Sequence, residues 1–177
     1  LPGLDGARIL QADVRLLRSL AGGASKGQQG GVLATIDLSH AVILTLPDSA
    51  FYGCATLTYV ALPLTLPEIS RYAFAGCQNL NRIDIPPTVG EIKRCAFYGC
   101  FNLAEVELPA SLRTIGTNAF NSCNSLTELR LPRSVTSVGV GAFAYSKNLR
   151  ALTVPRALRN IGRDATKGTL ITKITRL

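Results

Sequence analysis

The sequence predicts an α/β repeat solenoid of 23-residue coils, with a parallel sheet on its concave face, short helical or 3₁₀ turns outside and a capping helix at the N-terminus. Three observations lead there. Phenylalanine recurs every 23 residues, at Phe51, Phe74, Phe97, Phe120 and Phe143, with no insertion. A second column in the same register holds Cys54, Cys77, Cys100, Cys123 and then Ser146, and a third holds Leu57, Leu80, Leu103, Leu126 and Leu149. A proline closes the apolar run each time, at Pro63, Pro86, Pro109, Pro132 and Pro155. A fixed period of this length means stacked units, each of which buries its apolar edge only against its neighbours.

The first segment, Leu4 to Ala21, reads as an amphipathic helix. Ile9, Leu10, Val14, Leu17 and Leu20 share one face, while Arg8, Gln11, Arg15 and Arg18 line the other. Asp5 suits the N-cap, and Gly22-Gly23 suits the end. Such a helix covers the open core of the first coil, as terminal units of solenoids require. The competing reading is a membrane-surface helix with an arginine face. Gly22 to Gly31 is a flexible loop without phosphate-loop spacing. Val32 to Leu38 alternates and so reads as a strand, with Ile36 and Leu38 opening a first, imperfect copy and one residue inserted near His40.

Five regular units follow, written A-F-x-x-C-x-x-L-x-x-h-x-L-P-x-x-h-x-x-h with h aliphatic. In each, h-x-L-P is a short strand that proline ends, because proline offers no ladder hydrogen. The h-x-x-h stretch crosses the coil, and A-F-x-x-C-x-x-L makes a tight helical or 3₁₀ turn. L-x-x-h-x-L is the leucine-rich repeat strand signature. With the A-F-x-x-C prefix and trailing proline, residues 35 to 163 resemble the BspA-like (treponemal-type) leucine-rich repeat family of bacterial surface proteins. The resemblance implies a curved solenoid that binds proteins, often host matrix components, in an extracytoplasmic setting (periplasmic, membrane-associated or cell-surface). It implies no enzymatic activity. The organisation expected is residues 1–31 as capping helix and loop, 32–163 as repeats, and 164–177 as a degenerate C-terminal cap or edge strand of unresolved register.

Composition agrees with a continuous core: 47% of residues are hydrophobic and 17% charged. No apolar run approaches the roughly 20 residues that cross a bilayer. Methionine is absent even at position 1, which reads as a processed or trimmed chain. The cysteine column reads as a ladder of buried thiols. Cys95 stands in a column with Tyr72, Asn118 and Gly141, whose varied polarity suggests exposure.

Strand alternation sends two columns out of the concave sheet: Tyr59, Arg82, Glu105, Glu128 and Ala151, then Ala61, Asp84, Glu107, Arg130 and Thr153. Arg82 falls beside Asp84, and Arg130 across from Glu107. Tyr59, Arg82, Asp84, Glu105, Glu107, Glu128 and Arg130 are therefore the candidate protein-binding face; the bland alternative is a polar exposed sheet with paired charges. The net charge of +8 is uneven, since residues 130–177 hold ten Lys or Arg against the single acid Asp164. Arg150, Arg156, Arg159 and Arg163 form an alternative basic patch for a polyanion or membrane surface. No catalytic residue, cofactor or metal ligand set is assigned, and the oligomeric state is not read from the sequence. Glu105 with Glu107 resembles an acid/base pair but has no cleft, and His40 near Ser39 and Asp37 matches no catalytic motif.

Overall fold

The computed structural model describes residues 11–22 and 32–177. In chain order its elements are helix α1 (Gln11–Leu20) and strands β1 (Thr35–Asp37), β2 (Tyr59–Ala61), β3 (Glu68–Ile69), β4 (Arg82–Asp84), β5 (Glu91–Ile92) and β6 (Glu105–Glu107). Strands β7 (Thr114–Ile115), β8 (Glu128–Arg130), β9 (Ser137–Val138), β10 (Ala151–Val154), β11 (Asn160–Ile161) and β12 (Ile174–Arg176) complete it. The chain is a stack of coils of about 23 residues whose regular structure is nearly all short parallel strands joined by turns.

Each coil contributes two strands to two different parallel sheets. The h-x-L strands form one side, in the order β1-β2-β4-β6 and then β12-β10-β8. The h-x-x-h stretches do more than cross the coil: their last two residues form a second sheet, ordered β11-β9-β7-β5-β3. The A-F-x-x-C-x-x-L segment is not helical. It is a run of turns in which Ala73, Ala75, Cys77 and Leu80 N–H groups each donate to the carbonyl three residues back, while Phe74 N–H donates to Ala96 O of the next coil. The coil is thus closed by β-turns tied to their neighbours, and the only helix among the described residues is α1.

Between the sheets lies one continuous core. The five phenylalanines are fully buried, with adjacent rings 5.1–6.0 Å apart and nearly parallel. Val14, Leu17 and Ala21 of the N-terminal segment join that core. Leu20 does not: it is exposed beside Leu16, and Ala21 takes the inward place. The predicted cap at Asp5, the side chains of Arg8, Ile9, Leu10 and Gln11, and the loop from Gly23 lie outside the described residues. At the start of the stack, Ile36 pairs with Val60 as the imperfect copy requires. At its end, Ile174 sits opposite Leu152 and Arg176 opposite Val154, so the last copy is one residue shorter than the period.

The cysteine column has a specific duty. The Sγ–H of Cys77 donates to Phe51 O at 3.0 Å, that of Cys100 to Phe74 O at 3.1 Å, and that of Cys123 to Phe97 O at 3.2 Å. Ser146 repeats the bond with Phe120 O at 2.8 Å. Each of the three thiols gives a buried backbone carbonyl a further donor, since Phe51, Phe74 and Phe97 O already accept from the N–H groups of Cys54, Cys77 and Cys100 within the turn. The thiols remain protonated for this role: burial pushes Cys100 and Cys123 up, and at Cys77 the bond with Cys54 and burial act together. Cys123→Ala should therefore cost about 0.5–1.5 kcal/mol of unfolding free energy through this bond, the net worth of one hydrogen bond, because Phe97 O keeps the Cys100 N–H. Cys123→Ser should cost less than half as much, because Ser146 already performs the same task. Urea titrations of the two variants check this; equal losses would make the sulfur mere filling.

Cys95 is buried, contrary to the exposure its column suggested. What that column shares is backbone: Ser49, Tyr72, Cys95, Asn118, Gly141 and Asp164 all have φ between 54° and 62°. The left-handed conformation, easiest for Gly, Asn and Asp, turns the chain there whatever the side chain.

Candidate functional site

The outward positions of the first sheet follow directly from strand alternation. Register places Tyr59 beside Arg82 and Arg82 beside Glu105, with Ala61, Asp84 and Glu107 as the second row. Beyond them Glu128 lies beside Ala151, and Arg130 beside Thr153. Arg82, Glu105, Glu107, Glu128 and Arg130 are exposed, Tyr59 and Asp84 half-buried, and Ala61 is buried rather than outward.

At the N-terminal end of this face three candidates hold one another. The Tyr59 hydroxyl donates to Asp84 Oδ2 at 2.6 Å, and Arg82 Nε donates to Asp84 Oδ1 at 3.0 Å. Arg82 Nη1 also lies 3.9 Å from Glu105 Oε2. The Tyr59 hydroxyl bond, with help from Arg82, holds the Asp84 carboxyl below its usual range, and the same bond raises Tyr59. This is a pre-set polar surface with an aromatic ring at its edge.

The second half differs. Among the described ion pairs none joins Arg130 to Glu107, although both are on the same face. The reason is that the first sheet is interrupted: β6 and β8 are not hydrogen-bonded to each other. Elsewhere the residues before each strand donate to the preceding coil, as Asn81 and Arg82 N–H do to Thr58 O, and Arg150 and Ala151 N–H to Thr127 O. The equivalent bonds from Thr127 and Glu128 N–H to Ala104 O are missing from the described hydrogen bonds, as is that from Leu108 N–H to Arg130 O. A cleft of about 630 Å³ opens at this seam, lined by Val106, Glu107, Leu108, Glu128, Leu129 and Arg130 with Ala151 and Thr153 beyond. Val106 is only partly buried there, whereas Val60, Ile83, Leu129 and Leu152 of the same column are buried. No feature of residues 104–108 or 127–131 announced this in the sequence, since both segments fit the template.

The basic candidates do not gather on one surface. Arg150 precedes β10 in the first sheet, Arg156 follows it, and Arg159 and Arg163 flank β11 in the second sheet. Arg156 shares a shallow depression of about 350 Å³ with Arg133, Pro155, Ala157 and Leu177. Glu105, Glu107 and the Asp37–Ser39–His40 turn do not converge on one site: Glu107 lines the cleft, which Glu105, Asp37 and His40 do not. Glu105 and Glu107 are exposed, and Asp37 Oδ1 accepts from Ser39 N–H at 2.9 Å and Ser39 Oγ–H at 2.7 Å, a local turn beside exposed His40.

Comparison with known proteins matches this geometry. The family model described as the BspA type leucine-rich repeat region matches residues 44–172 in six copies. The crystal structure of a leucine-rich repeat protein from Bacteroides ovatus ATCC 8483 is similar at 30% identity and a TM-score of 0.69, over 85% of this chain and 37% of that one. The T. pallidum leucine-rich repeat protein is similar at 30% identity and a TM-score of 0.60, over 86% of this chain and 70% of that one. The pneumococcal vaccine antigen PcpA, at 23% identity and a TM-score of 0.65 over 87% of this chain and 42% of that one, shares the fold. The chain spans less than half the length of the first and third of these. No curated protein matches it.

Proposed function

Because the chain belongs to the BspA-type leucine-rich repeat family, whose members generally mediate protein interactions and are typically non-enzymatic, we propose that it is a protein-binding module that works through its first sheet. The observation that carries this reading is the unbroken register from β2 through β4 to β6, which lines up Tyr59, Arg82, Asp84, Glu105 and Glu107 on adjacent strands. Solenoids bind through the extended surface their stacked strands create. Tyr and Arg are the residue types that most often dominate interface energies, and here the Asp84 carboxylate holds both in place before a partner arrives. A preorganised surface loses less side-chain freedom on binding. On this reading the first sheet is the concave face, the N-terminal helix caps the stack, and the partner is a host matrix protein, the class that the family resemblance implies.

The test is binding of the chain to a panel of purified extracellular-matrix proteins. Tyr59→Ala, Arg82→Glu and Glu107→Lys should each weaken the interaction at least tenfold with no fall in melting temperature. Neutralising Arg156, Arg159 and Arg163 together should leave it unchanged. If instead the arginine triple variant abolishes binding, and the affinity falls steeply with salt as counterion release demands, the first-sheet reading gives way to polyanion binding at the basic end.

A further inference from the structure

We infer that the seam between β6 and β8 is a receptor for an extended basic peptide, which completes the interrupted sheet as an added strand; this rests on the reading of the first sheet as the binding surface. Two independent observations converge on that occupant. The first is the backbone. Ala104 O and the N–H groups of Thr127 and Glu128 lack the coil-to-coil bonds that their equivalents make elsewhere in the sheet, and Leu108 N–H lacks the bond that Leu38, Leu62 and Leu131 N–H make, though not Ile85. Unpaired strand edges are templates for another strand, and strand addition is a recurrent mode of peptide capture.

The second observation is charge. Glu107 and Glu128 stand on opposite lips of the cleft, and neither takes part in a described ion pair. Arg130 is the one cation lining the cleft, and Arg82 is already engaged by Asp84. The floor is apolar, formed by Val106, Leu108 and Leu129. A strand with aliphatic side chains facing the floor and Lys or Arg facing the lips meets all of these features. At about 630 Å³ the cleft lies within the roughly 300–1,000 Å³ range of ligand sites.

The seam opens without unstacking the coils. On the far side β7 and β9 stay paired, Gly139 N–H donates to Ile115 O at 2.8 Å, and the rings of Phe97 and Phe120 remain 5.1 Å apart. The interruption is therefore confined to the first sheet.

The experiment uses the whole chain and two capped heptapeptides in which valine alternates with lysine or with glutamate. The lysine–valine peptide should bind at least tenfold more tightly than its glutamate counterpart. Backbone N-methylation of the peptide, or Glu107→Lys together with Glu128→Lys in the protein, should each weaken binding at least tenfold. In hydrogen exchange, the amides of Leu108, Thr127 and Glu128 should exchange at least a hundredfold faster than those of Leu131 and Arg150 in the free chain, and slow at least tenfold with peptide. Failure of the lysine–valine peptide to bind, equal binding of its N-methylated form, or amides already slow in the free chain would each overturn the proposal. If that happens while matrix-protein binding still responds to Tyr59→Ala and Arg82→Glu, only the seam falls; if neither variant matters, the first-sheet reading falls as well.

Discussion

Truncating Phe97 or Phe120 to alanine is expected to cost about 3–5 kcal/mol of unfolding free energy, the range for a buried aromatic lost from a core. Both rings are fully buried and each stacks on two others, Phe97 at 5.5 and 5.1 Å and Phe120 at 5.1 and 6.0 Å. Removing one leaves a void between turns that are tied by hydrogen bonds and so have little room to collapse. Urea denaturation gives the size of the loss, and the double variant should depart from additivity because the two rings touch. A cost below about 1 kcal/mol at both positions, the size of a surface effect, would contradict the stacked column.

Gly139→Ala should be similarly damaging for a different reason. Its φ is not in the left-handed region, so the cost is purely steric. A Cβ there would run into Thr117 N, with the Gly116 carbonyl carbon at 2.6 Å and Thr117 Cα at 2.8 Å. All three are backbone atoms of the preceding coil, which cannot swing aside as a side chain would. The substitution must separate the coils or break the Gly139–Ile115 bond, and a loss of about 3 kcal/mol, the upper range for overpacking, is expected. A melting temperature within a degree or two of the parent would show that the coils separate freely at this point.

Most of the core was legible because a solenoid repeats its surroundings: every residue of the phenylalanine, cysteine and leucine columns meets nearly the same neighbours, so side-chain identity reports burial. The charged face was legible for the same reason, through alternation, and Arg82 does sit beside Asp84. Where the common property lies in the backbone, identity misleads. Cys95 was assigned to the surface because its column mixes Tyr, Asn and Gly, whereas the shared trait is a positive φ. The second sheet escaped notice because strands of two residues, such as Glu68–Ile69, are too short to display alternation. The column of Gly116, Gly139 and Gly162 also contains Ser70 and Lys93, which hides its close approach. The expected ion pair of Arg130 with Glu107 fails at the seam, a break in strand pairing that neither segment's sequence encodes on its own.

The sulfur-to-carbonyl bonds bear on how the molecule answers oxidants. Stacked cysteines at equivalent positions of adjacent coils invite a disulfide, since coils about 4.8 Å apart are within bridging range. Here each bridge would consume two S–H donors and with them two hydrogen bonds to buried carbonyls, a loss of about 0.5–1.5 kcal/mol apiece set against the few kcal/mol a disulfide provides. With their thiols raised by burial, Cys100 and Cys123 also hold little of the thiolate that exchange chemistry needs. Burial and protonation together shield the column from exchange chemistry: an oxidant reaches these sulfurs only after the stack has opened around them.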